Sequence, residues 1–179
     1  PAEQKTAKLW LNLHRNPERY IPELLTRSQT AQSPLMFTHA ITRLINKDIY
    51  QAIVIWDNNK QSFAINNKPA DKLEKRLAFK LAHKNEAGAY ERLCQLNESD
   101  NSSKTRRIRV ALYEQNWPRV ITAIEDRGST DQQLEKWQYW LPRAYQETGR
   151  PIQADEIFSE LSGKRDFYGY LAADRLNRL

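Results

Sequence analysis

The sequence of 179 residues has few residues of the kinds that build disulfide-stabilised or metal-stabilised proteins: one cysteine, three histidines and five glycines. A single cysteine cannot form an internal disulfide, so Cys94 neither supports nor excludes an oxidising compartment. Its position between Leu93 and Leu96 predicts a small buried hydrophobic side chain. The low glycine content disfavours an all-β fold with many tight turns and favours helices.

Long hydrophobic runs are also absent. The longest, 52–56, is far shorter than the roughly 20 residues that a transmembrane helix needs. Residues 1–4 have neither the basic start nor the apolar middle of a signal peptide. Proline as the first residue is typical of a processed end rather than of a natural start.

Patterns that carry catalysis or bind metals are missing. His14, His39 and His83 are far apart, and none has a partner at metal-ligand spacing, which predicts surface or lightly packed side chains. The sequence has no Gly-rich phosphate loop, no Gly-x-Ser-x-Gly elbow and no His-Glu-x-x-His motif. We therefore predict no catalytic residue, no metal ligand and no cofactor-binding residue in this chain.

Positive charge is the one excess, with a formal net charge of +6 and an isoelectric point near 9.4. The densest basic run is 104–109, and its charges alternate with apolar residues at helical spacing, which predicts a solvated helix face. No zinc-finger or RNA-binding motif accompanies it, so we expect no nucleic-acid partner. A basic surface would favour residence near an anionic polymer. A second basic patch has the same pattern and comprises Lys72, Lys75, Arg76, Lys80 and Lys84.

A succession of short helical segments fills the chain, as apolar residues recur at spacings of three and four. We predict an all-α fold, a superhelical array of short antiparallel helix pairs of the tetratricopeptide-like α-solenoid type. It would form one domain over 1–179, with a possible subdivision at the polar loop 97–103. The predicted helices cover 3–14, 18–27, 33–46, 49–56, 69–83, 86–96, 104–114, 117–128, 132–148, 151–162 and a last segment from 165 or 166 onward.

The aromatic residues of these helices are predicted mainly to fill the spaces between them. Trp137 lies on an apolar stripe with Leu134, Leu141, Ala144 and Tyr145, which favours core packing over a sugar-stacking platform. The same interpretation applies to Trp10 and Trp140, whereas Tyr139 can lie off the buried stripe. Gly149 followed by Pro151 predicts a tight connection between two antiparallel helices.

The stretch 165–176 has the sequence RDFYGYLAADRL, and the pattern W-x-Y-W-x-x-R-A precedes it at 137–144. Together they resemble the α-superhelical region of the soluble lytic murein transglycosylases, where a similar phrase closes the helical repeats just before the catalytic domain. Residues 117–124 are also similar to that family. The resemblance is strong over the last third of the chain, and the earlier part shares only the rhythm of short helices.

This resemblance implies a periplasmic, non-catalytic scaffold that positions a glycan-cleaving domain on peptidoglycan during cell-wall turnover. The catalytic domain is expected beyond Leu179, and the signal sequence and first repeats before Pro1. The family's catalytic glutamate stands in a Glu-Ser-x-Phe or Glu-Ser-x-Tyr motif. Here Glu98-Ser99 is followed by Asp-Asn in a polar loop, without the apolar surroundings that raise the pKa of a general acid. We therefore do not predict Glu98 to be catalytic.

The same motif provides a candidate contact surface for that catalytic domain. The alternative is that these residues form the closing cap of the helical array. The candidate contact residues are Arg165, Phe167, Tyr168, Tyr170, Asp174 and Arg175.

Two other functions stay open at this point: a free-standing adaptor that binds protein segments, and a nucleic-acid-binding protein whose affinity would fall steeply with salt. The expected partners are peptidoglycan, through the parent enzyme, and the parent's own catalytic domain, while the oligomeric state is left open.

Overall fold

The computed structural model describes residues 2–97, 100–128 and 135–177. Eleven α-helices and one short 3-10 helix account for most of these residues, and the described ranges contain no β-strand. The predicted all-α fold of short, paired helices is thus confirmed. The chain divides into two compact units: unit 1 is Pro1–Gly88 with Gln95–Glu98, and unit 2 is Ala89–Cys94 with Ser99–Leu179.

The helices of unit 1 are α1 (Ala2–Arg15), α2 (Pro17–Thr26), α3 (Ser33–Lys47), α4 (Ile49–Asn59) and α5 (Asn67–Lys84), with the 3-10 helix at Lys60–Ser62. Helix α3 is at the centre of the unit, since it contacts α1, α2, α4 and α5. Asp48 fixes the corner between α3 and α4, because its carboxylate accepts hydrogen bonds from the backbone N–H groups of Tyr50 and Gln51 at 3.0 Å each.

An aromatic stack forms the centre of unit 1. The ring of Phe37 lies between those of Phe63 and Trp56, with centroids 4.3 and 5.8 Å away. The indole N–H of the buried Trp56 donates to the Glu74 carboxylate at 2.6 Å, and Lys60 reaches the same oxygen at 2.7 Å. The only polar atom of the indole therefore has a charged partner inside the packed unit, which joins α4 to α5.

The helices of unit 2 are α6 (Ala89–Cys94), α7 (Asn101–Tyr113), α8 (Trp117–Glu125), α9 (Glu135–Glu147), α10 (Pro151–Ser162) and α11 (Phe167–Arg175). Helix α7 packs on α6, α8 packs on α7, and α9 packs on α8. Helices α9, α10 and α11 also pack on one another. Gly149 ends α9 in a left-handed conformation, with φ of +75°, and Pro151 opens α10, as the sequence predicted.

Two predicted boundaries around α6 and α7 are wrong. Helix α6 covers less than the predicted 86–96, because the left-handed backbone at Asn85 and Gly88, with φ of 55° and 81°, delays its start. The predicted loop 97–103 is helical from Asn101 onward. The Asp100 carboxylate caps α7 by accepting the backbone N–H and the hydroxyl of Ser103 at 2.9 and 2.8 Å. Glu98, Ser99 and Leu134 lie outside the described residues.

Cys94 is exposed, which contradicts the predicted burial. It is the last residue of α6, whose inward face consists of Ala89, Tyr90 and Leu93. The next residue after Leu93 is rotated about 100° around the helix and therefore faces outward. Its sulfur lies 3.8 Å from an Nη1 atom of Arg107 on α7.

Among the described helices, none combines the length and the apolar character that crossing a bilayer requires.

Candidate functional site

Helix α11 begins at a side-chain cap and a close backbone contact. The Asp166 carboxylate accepts the backbone N–H of Gly169 at 2.8 Å, which ends the turn after α10 and starts the helix. A Cβ atom placed on Gly169 would lie 2.1 Å from the Lys164 carbonyl oxygen and 3.1 Å from that of Leu161. Only glycine allows the first turn of α11 to lie this close to the end of α10.

The inner face of α11 packs on a small apolar cluster from α9 and α10. Its members Tyr139, Ala154, Phe158, Leu161 and Ala172 are all buried. Tyr139, which the sequence left open as a residue that can lie off the buried stripe, is only 6% exposed and belongs to it. The stripe of α9 includes 137, 139 and 144, whereas Leu141 is half-buried. Pro142, which interrupts the regular pattern of α9, is buried as well.

Tyr168 joins this cluster rather than the outer surface. Its ring centroid lies 5.9 Å from that of Tyr139 and 5.2 Å from that of Phe167, and its side chain is half-buried. Arg175 approaches the same tyrosine, with its Nε atom 3.5 Å from the Tyr139 hydroxyl oxygen. The two residues connect the outer surface of α11 to its core.

The outer face of α11 leaves large apolar rings in solvent. Phe167 is 69% exposed and Tyr170 is 63% exposed, and both lie one helical turn apart on the same side of the helix. Asp174 stands one turn further along this side, and it is exposed too. Burying two such rings against a partner would remove apolar area from water, which is favourable by about 25 cal/mol per Å².

Five of the six predicted contact residues are therefore exposed on or beside one short helix, and the sixth, Tyr168, is half-buried against Tyr139. Arg165 precedes the helix and Arg175 ends it, so positive charges flank an aromatic surface that carries one carboxylate. This composition suits an interface that combines apolar burial with a polar rim. We name the five exposed residues the α11 surface: Arg165, Phe167, Tyr170, Asp174 and Arg175.

The tryptophans differ from one another in burial. Trp137 is 3% exposed, with the guanidinium of Arg127 and the ammonium of Lys136 near its ring, so the prediction of core packing is confirmed. Trp140 packs half-buried against the α9–α11 cluster. Trp10 does not fill a core: it is half-buried and lines an open cleft with Leu11 and the histidine pair described below.

The basic run 104–109 is not a purely solvated face, which corrects the prediction. The Arg107 side chain is only 13% exposed, and its guanidinium pairs at 2.5 Å with Asp126, which directly follows α8. Sequence spacing placed Arg107 on a helix but could not show that the end of α8 supplies a carboxylate opposite it. Arg119 likewise pairs with Glu91 and Glu114. Two arginines of unit 2, Arg107 and Arg119, therefore have acidic partners.

Two of the three histidines meet, a pairing that sequence spacing did not reveal. The Nδ1 atom of His14 on α1 lies 3.2 Å from the Nε2 atom of His39 on α3, and the rings stack with centroids 5.4 Å apart. Burial lowers the pKa of His39, and the nearby His14 and Arg43 add to the effect. Within the described ranges, no group of three or more His, Cys, Asp or Glu side chains could hold a metal ion.

No family model matches the sequence. The chain is 23% identical to the soluble lytic murein transglycosylase of Escherichia coli and 26% identical to that of Salmonella typhimurium, and each match covers 98% of this chain. The chain is therefore similar in sequence to the soluble lytic murein transglycosylases. The resemblance inferred from the motif at 165–176 is thus confirmed, and it extends over nearly the whole chain.

Structural comparison places the same fold in solved transglycosylases. An inactive mutant of the lytic transglycosylase Slt from Pseudomonas aeruginosa superimposes with a TM-score of 0.81 at 20% identity. The 70-kDa soluble lytic transglycosylase of Escherichia coli gives 0.65 at 22% identity, and its complex with bulgecin A gives 0.66. Each superposition covers 99% of this chain and 29% of the other. The chain spans about 28% of the length of the curated transglycosylases that it matches.

Proposed function

We propose that this chain is a non-catalytic helical scaffold of a periplasmic lytic transglycosylase, and that it holds a glycan-cleaving domain on peptidoglycan during cell-wall turnover. The α11 surface would be the face that contacts that domain. The observation that carries this proposal is the pair of exposed rings, Phe167 and Tyr170, on a helix whose start and inner face are held by buried contacts.

Rigidity is what a positioning role requires. The contact between Gly169 and Lys164, the Asp166 cap and the packing of Tyr168 fix α11 against α9 and α10. A partner that binds the α11 surface would therefore meet side chains held on a packed helix, and little conformational entropy would be lost on binding. The positive net charge of the chain would in addition attract the carboxylates of peptidoglycan peptides.

The reading frame beyond Leu179 provides the first test. We expect it to continue for about one further domain and to contain Glu-Ser-x-Phe or Glu-Ser-x-Tyr. A frame that ends at this point, or that encodes no such glutamate, would contradict the scaffold proposal. An adaptor that binds protein segments would then become the leading function.

The second test removes the exposed rings in the complete protein, with the double variant Phe167→Ala/Tyr170→Ala. We expect slower release of soluble fragments from murein sacculi and an unchanged melting temperature of the helical region, because these rings contribute little to its packing. The matched control is Tyr113→Ala/Ile152→Ala, which removes two large apolar side chains, 65% and 76% exposed, elsewhere in unit 2. Equal murein release by both double variants would refute the assigned contact surface.

A further inference from the structure

Unit 1 contains a cleft of about 270 Å³ between helices α3 and α5. Its volume is at the small end of the range of ligand sites, so it would admit one end of a molecule rather than a glycan strand. Three of its lining residues carry or can carry positive charge, namely His39, Lys72 and Arg76, and none of the described residues that line it is acidic. The nearest acidic residue in sequence, Asp71, instead accepts a hydrogen bond from Asn97 at 2.8 Å.

Lys72 and Arg76, the two cationic residues of the cleft, have hydrogen-bond donors that are available to a ligand. Lys72 is exposed, and it forms no hydrogen bond or ion pair with any other residue in the described part of the chain. The Nη2 atom of Arg76 donates a hydrogen bond to the side-chain oxygen of Asn46 at 3.2 Å, and this bond leaves the other N–H groups of the guanidinium available. An anion in the cleft could therefore receive charged hydrogen bonds from both side chains without breaking an existing ion pair.

The surroundings of His39 also favour a negatively charged ligand in the cleft. It lines this cleft on one side and contacts His14 on the other, and Arg43 is close to it on its own helix. Among the described residues, the charged groups that affect His39 are His14 and Arg43, and those that line the cleft with it are Lys72 and Arg76, so all four are basic. A carboxylate bound here would offset that repulsion.

The remaining lining distinguishes between kinds of anion. The Thr42 hydroxyl donates to the Thr38 carbonyl oxygen at 2.7 Å, so it presents only lone pairs to the cleft and can accept an N–H from a ligand. Leu35, which is 61% exposed, and Leu73 add an apolar wall. A peptide end has a carboxylate, an adjacent N–H and a small side chain, whereas inorganic phosphate at neutral pH has neither the N–H next to its charge nor an apolar part.

We propose that the cleft between α3 and α5 binds the carboxylate end of a short peptide, held by Lys72 and Arg76, with its N–H on Thr42 and its side chain on Leu35 and Leu73. The site is defined by these residues alone. Only the identification of its physiological ligand as a peptide of peptidoglycan rests on the scaffold function proposed above.

Nuclear magnetic resonance titration tests the site directly on the chain. The probe is N-acetyl-alanyl-alanine, and its C-terminal amide is the uncharged comparison. We expect the acid to shift the signals of His39, Leu35 and Leu73 saturably and to raise the titration midpoint of His39. The double variant Lys72→Gln/Arg76→Gln should weaken binding at least about tenfold, since it removes both charged hydrogen-bond donors. Both side chains are exposed, so we expect these substitutions to leave the fold intact, which the dispersion of the same spectra checks.

The control variant Lys5→Ala/Lys8→Ala removes two exposed positive charges from α1, outside the cleft, and should bind as the parent does. Equal weakening by both double variants would mean general attraction to a basic protein and would overturn the site. So would equal binding of the acid and the amide, phosphate binding as tight as that of the acid, or no shift at all. None of these results would bear on the α11 surface, because that surface is tested through murein release.

Discussion

The α-carbon of Gly169 lies against the carbonyl oxygen of Lys164, so closely that a Cβ atom on residue 169 would be 2.1 Å from that oxygen. This contact joins the first turn of α11 to the turn that follows α10, and the atoms that such a Cβ would meet are backbone atoms of Lys164 and Leu161. They cannot move away by rotating a side chain. The glycine of the motif at 165–176 is therefore explained by packing, and not by a special φ value.

Replacing Gly169 by alanine should destabilise unit 2 by about 1–3 kcal/mol or more, because overpacking forces the backbone to shift. Urea unfolding followed by circular dichroism measures the change. The matched control is Gly163→Ala, where the nearest atom to an added Cβ is the Glu160 carbonyl oxygen at 3.6 Å, an ordinary contact. Equal destabilisation by the two substitutions would show that the close approach at 169 is not what fixes α11.

The cap on α11 makes a smaller, separable contribution. Changing Asp166 to alanine removes the acceptor of the Gly169 N–H bond, and should cost about 1 kcal/mol of unfolding free energy. Asp166→Asn keeps an acceptor oxygen and should retain most of the stability. If asparagine and alanine were equally destabilising, the carboxylate would act through its charge near the helix N-terminus rather than as a cap.

Tyr168 and Tyr170 are two residues apart and should respond differently to truncation. Tyr168→Ala removes a half-buried ring that contacts Tyr139, so we expect a loss of about 1–2 kcal/mol in unfolding free energy. Tyr170→Ala truncates a 63% exposed ring and should stay within about 0.5 kcal/mol of the parent. Thermal melts of the two single variants decide this, and a larger loss for Tyr170 would reverse the assigned faces of α11.

Local signals in the sequence were sufficient for most helix boundaries. Asp48 and Asp166 cap helices, and Gly149 and Pro151 mark the α9–α10 turn, because each acts on backbone groups within a few residues of itself. Asp100 is the exception. It caps α7 from within a polar stretch whose composition indicated a loop. Composition does not show which acidic residue of such a stretch accepts a backbone N–H at the start of a helix.

Other features could not be predicted because each depends on a partner far along the chain. Arg107 looked solvated because its partner, Asp126, lies at the end of the next helix. His14 and His39 looked isolated because 25 residues separate them. The six residues of the candidate contact surface could be named from the family motif, but which of them point outward depends on how α11 sits on Tyr139 and Phe158.

The pairing of His14 with His39 predicts that unit 1 responds to acid. The pKa of His39 is lowered in the folded chain, chiefly by burial, so the unfolded chain binds a proton more readily at this position. Stability should then be constant above about pH 6.5, the ordinary histidine value, and decrease as the pH falls from there through the lowered pKa of His39. Below that point the contribution of His39 is fully lost, and the curve should level off.

Urea unfolding at a series of pH values between 4.5 and 8, a range of about two units on the acid side of the ordinary histidine pKa, measures this dependence. His39→Gln cannot take up a proton, so its profile should lack the loss that begins near pH 6.5. His83→Gln is the control: it removes an exposed histidine from α5 in the same unit and should keep the parent's profile. A parent whose stability rises as the pH falls through this range would mean that protonation strengthens the contact between α1 and α3, because the folded state would then bind the proton more tightly than the unfolded chain.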